Sequence, residues 1–200
     1  VATEAASIPR VGVLGALFDP PHIGHLLLAQ EAAWQLGLAR VVLVPTGTPP
    51  HRAAAVAPAE TRLRLAQAAA AGDPRLTVSR VELDRPGPSY TSDTLRSLQL
   101  HYPEASLVLL LGADQLAALG SWHEAERLPE LARLAVARRP GVALAGAERA
   151  AVTWVDMPLV DVSSSSVRAR VAAGRPIRWL VPEPVRAIIE ADALYRGGAP

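Results

Sequence analysis

Short apolar runs alternate along the chain with stretches of helical spacing. Residues 11–14, and residues 40–44 closed by Pro45, read as buried parallel strands, because a run with almost no polar alternation leaves no face for water. Between them, residues 23–36 place Leu27, Leu28, Ala32 and Leu36 on helical spacing, and Gly37 follows as a stop signal. Residues 59–71 form an Ala-rich helix behind Pro58, ended by Gly72-Asp73-Pro74, and residues 76–83 predict a third strand. Residues 91–100 are helical, and 106–111 make the most hydrophobic strand, which places it near the centre of a sheet. Residues 134–137 and 152–155 are weaker strands, and 164–173 and 184–191 are closing helices. Trp34 and Trp179 sit in apolar sequence and are assigned to the core.

Strands alternating with helices predict an α/β fold: a Rossmann-like open parallel sheet with helices on both faces, and a small helical C-terminal part over 163–196. The ligand crevice of such a sheet lies at the carboxyl ends of its strands, so the turns after Leu14, Val44 and Leu111 converge on one cleft. The longest loop, 45–58, is rich in Pro and Ala rather than linker-like, and no repeat is visible, so residues 1–200 are expected to form one domain. Residues 1–9 are expected to be disordered or weakly ordered.

Composition removes several chemistries. With 50% hydrophobic but only 4% aromatic residues, the interior must be aliphatic. All 20 basic residues are Arg, which excludes a Schiff-base lysine and a Walker A loop. No Cys is present, so thiol nucleophiles, iron–sulfur clusters and disulfides are excluded too. A formal charge of +1 gives no basic field for nucleic acid, and any anionic ligand must be met locally. The longest uncharged apolar run falls far short of the roughly 18 to 20 residues that span a bilayer, and Glu4 interrupts a start without a basic n-region. A cytoplasmic chain, bound neither to membrane nor to nucleic acid, is expected.

The first strand exits into Gly15-Ala16-Leu17-Phe18-Asp19-Pro20-Pro21-His22-Ile23-Gly24-His25. A helix begins there, and its unpaired N–H groups and partial positive charge suit a phosphate. Imidazoles three residues apart share one helical face, so His22 and His25 can point at one ligand. They could instead be surface and capping residues; a metal site lacks the adjoining Glu and the completing carboxylate. Four serines followed by Arg168 open another helix, read either as an N-cap with a solvated Arg or as a second anion site. His51-Arg52 is an exposed tip or a phosphate contact, and Asp114 caps a helix or meets a nucleoside. Trp122, in a loop, offers a face for stacking an electron-poor ring.

The first turn resembles the Gly-x-x-Phe-Asp-Pro-x-His-x-Gly-His signature of the nucleotidyltransferase superfamily of α/β adenylyltransferases. Further matches, in order, are Thr48-Pro49-Pro50-His51-Arg52, Gly87-Pro88-Ser89-Tyr90-Thr91-Ser92-Asp93-Thr94, Leu111-Gly112-Ala113-Asp114, Ser121-Trp122, Arg138-Arg139-Pro140-Gly141 and Val162-Ser163-Ser164-Ser165-Ser166-Val167-Arg168. Together they are similar to bacterial nicotinate-nucleotide adenylyltransferases. The resemblance implies that ATP and nicotinate mononucleotide bind side by side and that the mononucleotide phosphate attacks the α-phosphorus in line, without a covalent enzyme intermediate. His22 and His25 are then the catalytic hydrogen-bond donors.

The same resemblance implies that ATP meets Gly15, Ala16, Leu17, Phe18, His22, Gly24 and His25, with Gly112 and Asp114 at the adenosine and Ser163, Ser164 and Arg168 at the outer phosphates. It gives the mononucleotide His51, Arg52, Tyr90, Thr91, Asp114, Trp122, His123 and Arg139, with backbone N–H groups of Thr91 and His123 on the nicotinate carboxylate. No protein-bound metal is implied; Mg²⁺ arrives with ATP, held mostly by phosphates and water. The chain departs from the family at Ala16-Leu17, where Gly-Thr is usual, and at His123, where Tyr is common. Competing readings are a preference for nicotinamide mononucleotide or another phosphorylated acceptor such as phosphopantetheine, and a non-catalytic nucleotide sensor on the same fold. Assembly into a homo-oligomer is left open by the sequence.

Overall fold

A computed structural model describes residues 8–50, 55–138 and 152–197. Six strands form one parallel sheet: β1 (Arg10–Ala16), β2 (Arg40–Pro45), β3 (Leu76–Val78), β4 (Ser106–Leu111), β5 (Arg133–Ala137) and β6 (Val152–Val155). Their order is β3-β2-β1-β4-β5-β6, the doubly wound arrangement of a Rossmann-like α/β fold, with β1 and β4 paired at its centre. The helices among the described residues are α1 (Ile23–Leu36), α2 (Ala59–Ala70), α3 (Thr91–His101), α4 (Ala113–Ala118), α5 (Leu128–Leu131), α6 (Ser164–Ala172) and α7 (Glu183–Ala191).

Successive strand residues point to opposite faces, and both faces are dry. Val41, Leu43, Val108 and Leu110 join Leu28, Ala29, Ala32 and Ala66 in the core beneath α1 and α2. Val42, Val44, Leu107, Leu109 and Leu111 join Leu95, Leu98 and Leu128 beneath α3 and α5. A third cluster sits outside the sheet, where Leu65 and Ala69 of α2 pack on Val167 of α6 and on Val185 and Ile189 of α7. The helical C-terminal part is thus attached to α2 through a core of its own.

The predicted third strand over 76–83 is shorter than expected. It pairs with Val41–Leu43 through Leu76–Val78 only, and the N–H groups of Leu83 and Asp84 then turn back onto the Arg80 carbonyl. At this edge position the chain turns away from β2, which runs on beside β1 to Pro45, and the turn carries Glu82 inward. Trp34 and Trp179 are not core residues: each is 79% exposed. Trp34 follows buried Ala33, a rotation of roughly 100° around α1 that carries it to the outer face. Trp179 lies on the surface with the Arg178 guanidinium over its ring at 5.2 Å. Residues 1–7 of the expected loose N-terminus, and His51, Arg52 and Arg139, lie outside the described residues. No helix among the described residues is long and apolar enough to cross a membrane.

Candidate active site

Two cavities open at the carboxyl ends of the strands, of about 450 and 220 Å³. They share one wall, made by Gly15, Ala16 and Leu17 at the exit of β1 and by Asp114 and Gln115 at the start of α4. That wall is the topological switch point, since helices leave β1 and β4 toward opposite faces.

The larger cavity collects Phe18, His22, Gly24, His25, Gly112, Ser163, Ser164 and Arg168, all of them expected from the sequence. Phe18 is buried and adopts φ 50°, a left-handed backbone that is unusual for an aromatic residue. This sharp bend turns the chain from β1 into α1. The backbone N–H of His22, the N-cap, donates to His25 Nδ1 at 3.2 Å, and the two rings lie 3.8 Å apart. With Nδ1 accepting, neutral His25 carries its proton on Nε2 and can donate from there. Burial, and secondarily the neighbouring His22, push the His25 pKa well below its usual value, so neutral imidazole is the form at pH 7. The capping reading is therefore correct for His25, and the donor reading uses the other nitrogen of the same ring. Gly24 serves this packing, because an added Cβ would come within 3.1 Å of the His22 ring and 3.3 Å of Val162.

The serine run divides its work. Ser163 Oγ accepts from the Ser166 N–H at 3.1 Å and Ser166 Oγ accepts from the Ser163 N–H at 3.0 Å, so the cap accounts for two serines. Ser164 and Arg168 reach instead to the β1 turn, where Ser164 Oγ donates to the Pro20 carbonyl at 2.8 Å and Arg168 Nη1 to the Asp19 carbonyl at 2.7 Å. Arg168 Nη2 donates to Ser165 Oγ at 3.2 Å. The N-termini of α1 and α6 are thereby tied together along one cavity.

The smaller cavity is lined by Tyr90, Thr91, Asp114, Trp122 and His123, again as expected. The His123 ring stacks on Tyr90 at 4.1 Å and 27°. Thr91 opens α3, so its N–H is one of the donors that a helix start leaves without an intrahelical partner. The exit of β2 is zipped to this segment: Ser89 N–H donates to the Thr48 carbonyl at 2.8 Å and Thr48 N–H to Ser89 Oγ at 3.1 Å. Gly112 caps α4, and a Cβ on it would strike Asp114 Oδ1 at 2.6 Å. Glycine here lets the Asp114 carboxylate fold over the helix start at the junction of both cavities.

Ala16 and Leu17 line both cavities by their backbone path. The Leu17 carbonyl is held by Arg62 Nη1 at 2.9 Å and the Ala16 carbonyl by the Thr46 N–H at 2.9 Å, so the departure from Gly-Thr is absorbed without a left-handed residue before Phe18.

Several contributors carried no assignment in the sequence. Gln115 lines both cavities and its Oε1 accepts from the Gly112 N–H at 3.0 Å; a Gln three residues after a cap is the signal that would have found it. Arg138 borders the larger cavity, held by Asp156 at 2.9 Å and lying over the Trp154 ring at 5.4 Å. Met157, Leu159 and Val160 supply that cavity with an apolar wall. Glu82 borders the smaller cavity, takes a hydrogen bond from Thr94 Oγ1 at 2.7 Å, and has its pKa raised by burial. Among the described residues no group of three or more His, Cys, Asp or Glu could hold a metal ion.

Residues 13–170 match the family model described as cytidylyltransferase-like. The chain is 47% identical over 186 residues, 93% of its length and 98% of the relative's, to a protein of Exiguobacterium sibiricum named probable nicotinate-nucleotide adenylyltransferase. A protein of the same name from Thermus thermophilus is 46% identical over 187 residues, 94% of this chain and all 100% of its own. The solved Plasmodium falciparum nicotinic acid mononucleotide adenylyltransferase complexed with NaAD has the same fold, with a TM-score of 0.77 at 15% identity, covering 94% of this chain and 97% of that one. By its motifs, its fold and its near full-length identity, the chain belongs to the nicotinate-nucleotide adenylyltransferases within the cytidylyltransferase-like family.

Proposed function

We propose that this protein transfers the adenylyl group of ATP to nicotinate mononucleotide, giving nicotinate adenine dinucleotide and pyrophosphate, a step of NAD biosynthesis. The observation that carries this reading is the pair of cavities meeting at Gly15–Leu17 and Asp114, one faced by two helix N-termini and the other by rings. In the larger cavity ATP rests its adenosine against the Met157–Val160 wall, and its phosphates run from the start of α1 to Ser164 and Arg168. The mononucleotide places its pyridine ring at Tyr90, Trp122 and His123, with its carboxylate on the N–H groups at Thr91 and His123. His51, Arg52 and Arg139 are further contacts for the mononucleotide.

One acceptor phosphate oxygen forms a bond to the α-phosphorus, and the bond from that phosphorus to the bridging oxygen breaks, with both electrons leaving on pyrophosphate. The attacking group is already ionised, so the protein's work is alignment and stabilisation of charge on the transferring oxygens. His22 and His25 supply that stabilisation, His25 as a neutral Nε2–H donor. Magnesium would arrive on the nucleotide, where it offsets polyphosphate charge. The donors fit such a nucleotide-carried ion, with exposed Asp114 as a carboxylate that lines both cavities. These substrates fit a cytoplasmic location.

The test is an acceptor panel. Incubated with ATP and Mg²⁺, the protein is expected to convert nicotinate mononucleotide with a kcat/KM at least tenfold above that for nicotinamide mononucleotide or phosphopantetheine, because the amide leaves carboxylate donors poorly paired. ATP binding by calorimetry with no dinucleotide formed from any acceptor would overturn the reading.

A further inference from the structure

Asp19 is only 1% exposed, and it lies in the wall of the larger cavity. Its Oδ2 accepts from the Val56 N–H at 2.6 Å, and its Oδ1 accepts from the Ala57 N–H at 3.2 Å and from the Tyr195 hydroxyl at 2.8 Å. The backbone of the same residue carries the carbonyl that Arg168 grips, and the next carbonyl, of Pro20, takes Ser164. Whatever fixes Asp19 therefore fixes where Arg168 and Ser164 stand relative to the start of α1.

Tyr195 comes from beyond the end of α7, on a tail that bends back through two left-handed non-glycine residues, Ala193 at φ 52° and Tyr195 itself at φ 60°. Side chains other than glycine rarely adopt such a backbone, so the docked hydroxyl is held against local backbone preference. Burial and the adjacent carboxylate raise the Tyr195 pKa far above the usual phenol value, and it remains a donor at any working pH.

We propose that Tyr195 is a positioning residue for the polyphosphate grip, acting through Asp19 on Arg168 and Ser164. This rests on the reading above that Arg168 and Ser164 take the outer phosphates of ATP. The phenol removes one degree of freedom from the buried carboxylate; the carboxylate orders the turn; the turn presents two carbonyls that hold the phosphate-binding side chains in place. Losing the hydroxyl leaves the ring packed against the α2, α6 and α7 cluster, so fold and grip can be separated.

The experiment compares wild type, Tyr195→Phe, Arg168→Ala and the double variant by calorimetry with AMP, inorganic pyrophosphate and ATP, alongside steady-state kinetics. Tyr195→Phe is expected to weaken pyrophosphate and ATP about fivefold or more, the scale of a hydrogen bond to a charged group only partly transmitted, while AMP binding stays within about twofold. The KM for ATP rises and that for the acceptor does not. In the Arg168→Ala background the Tyr195 substitution weakens pyrophosphate by less than it does in wild type, because only the branch through Ser164 is left for it to act on. Equal weakening of AMP and pyrophosphate, or no weakening of either, overturns the assignment of Tyr195. Pyrophosphate binding that is unchanged in Arg168→Ala overturns the placement of the phosphates, and the Tyr195 assignment with it.

Discussion

The hydrogen bond from the His22 N–H to His25 Nδ1 decides which proton the site can offer. Protonating Nδ1 would break that bond and uncap α1, so the neutral ring is the form that caps the helix and donates from Nε2 at once. Packing of the ring against Phe18 at 5.1 Å and His22 at 3.8 Å keeps it neutral, by burial first and by charge second. The sign of the stability effect follows. Its folded-state pKa lies below the unfolded value of about 6.5, so between the two the unfolded chain binds the extra proton and stability rises with pH. This contribution is fully present above about pH 6.5 and is lost as pH falls toward the folded pKa. Urea midpoints of wild type are expected to drop from pH 7.5 to 5.5 by more than those of His25→Gln, which has no proton to gain. Identical pH dependence in the two proteins would remove His25 as the titrating group.

At the scale of elements, α2 acts as a rivet between strand exits. Arg62 is 2% exposed, and its guanidinium donates to the carbonyls of Leu17 at 2.9 Å, Thr46 at 2.6 Å and Ala57 at 3.3 Å. It thereby joins the turn after β1, the loop after β2 and the entry to α2, with Asp19 as the nearby balancing charge. Arg62→Leu strips the carbonyls of their donors and leaves a buried carboxylate without its cation, a loss expected at about 3–5 kcal/mol in urea unfolding at pH 7. A loss below about 1 kcal/mol would mean that water replaces the guanidinium. Nothing in the local sequence marks this residue. Arg64, two positions on, is an exposed partner of Asp192, and both arginines occupy the same Ala-rich helix. Periodicity reports which residues lie on a helix, whereas the carbonyls of Leu17 and Thr46 are brought to Arg62 only by the pairing of β1 with β2. The same limit explains β3, whose chain turns back on the Arg80 carbonyl while β2 runs on beside β1, and Trp34, whose apolar sequence neighbours are not its neighbours in space. By contrast β4, the α1 span with its Gly37 stop and the cavity-lining residues of both helix starts were legible, because each depends on chemistry within a few consecutive residues.

The whole molecule is organised around the place where β1 and β4 lie side by side and their helices part. Gly15 stands there, paired with Val44 in the sheet and lining both cavities. A Cβ at Gly12, three residues earlier, would strike Leu38 at 2.8 Å, so that glycine is a packing requirement. Among the described residues, a Cβ at Gly15 would meet no atom within 4 Å beyond its own chain neighbours. The space it would fill is open and borders both cavities, where the proposed function brings the substrates together, and a β-branched side chain suits the strand backbone. Gly15→Val is expected to keep the melting temperature within about 3 °C of wild type, the span of a substitution that touches no packed neighbour. It is expected to lower kcat/KM for adenylyl transfer by about a hundredfold, roughly the 2.7 kcal/mol that a displaced reacting phosphate costs in alignment. Calorimetry and steady-state rates on the same preparation separate the two quantities. If the variant melts early, Gly15 serves the fold; if it stays fully active, the substrates do not meet across β1, and the shared wall of the two cavities is not where phosphorus changes hands.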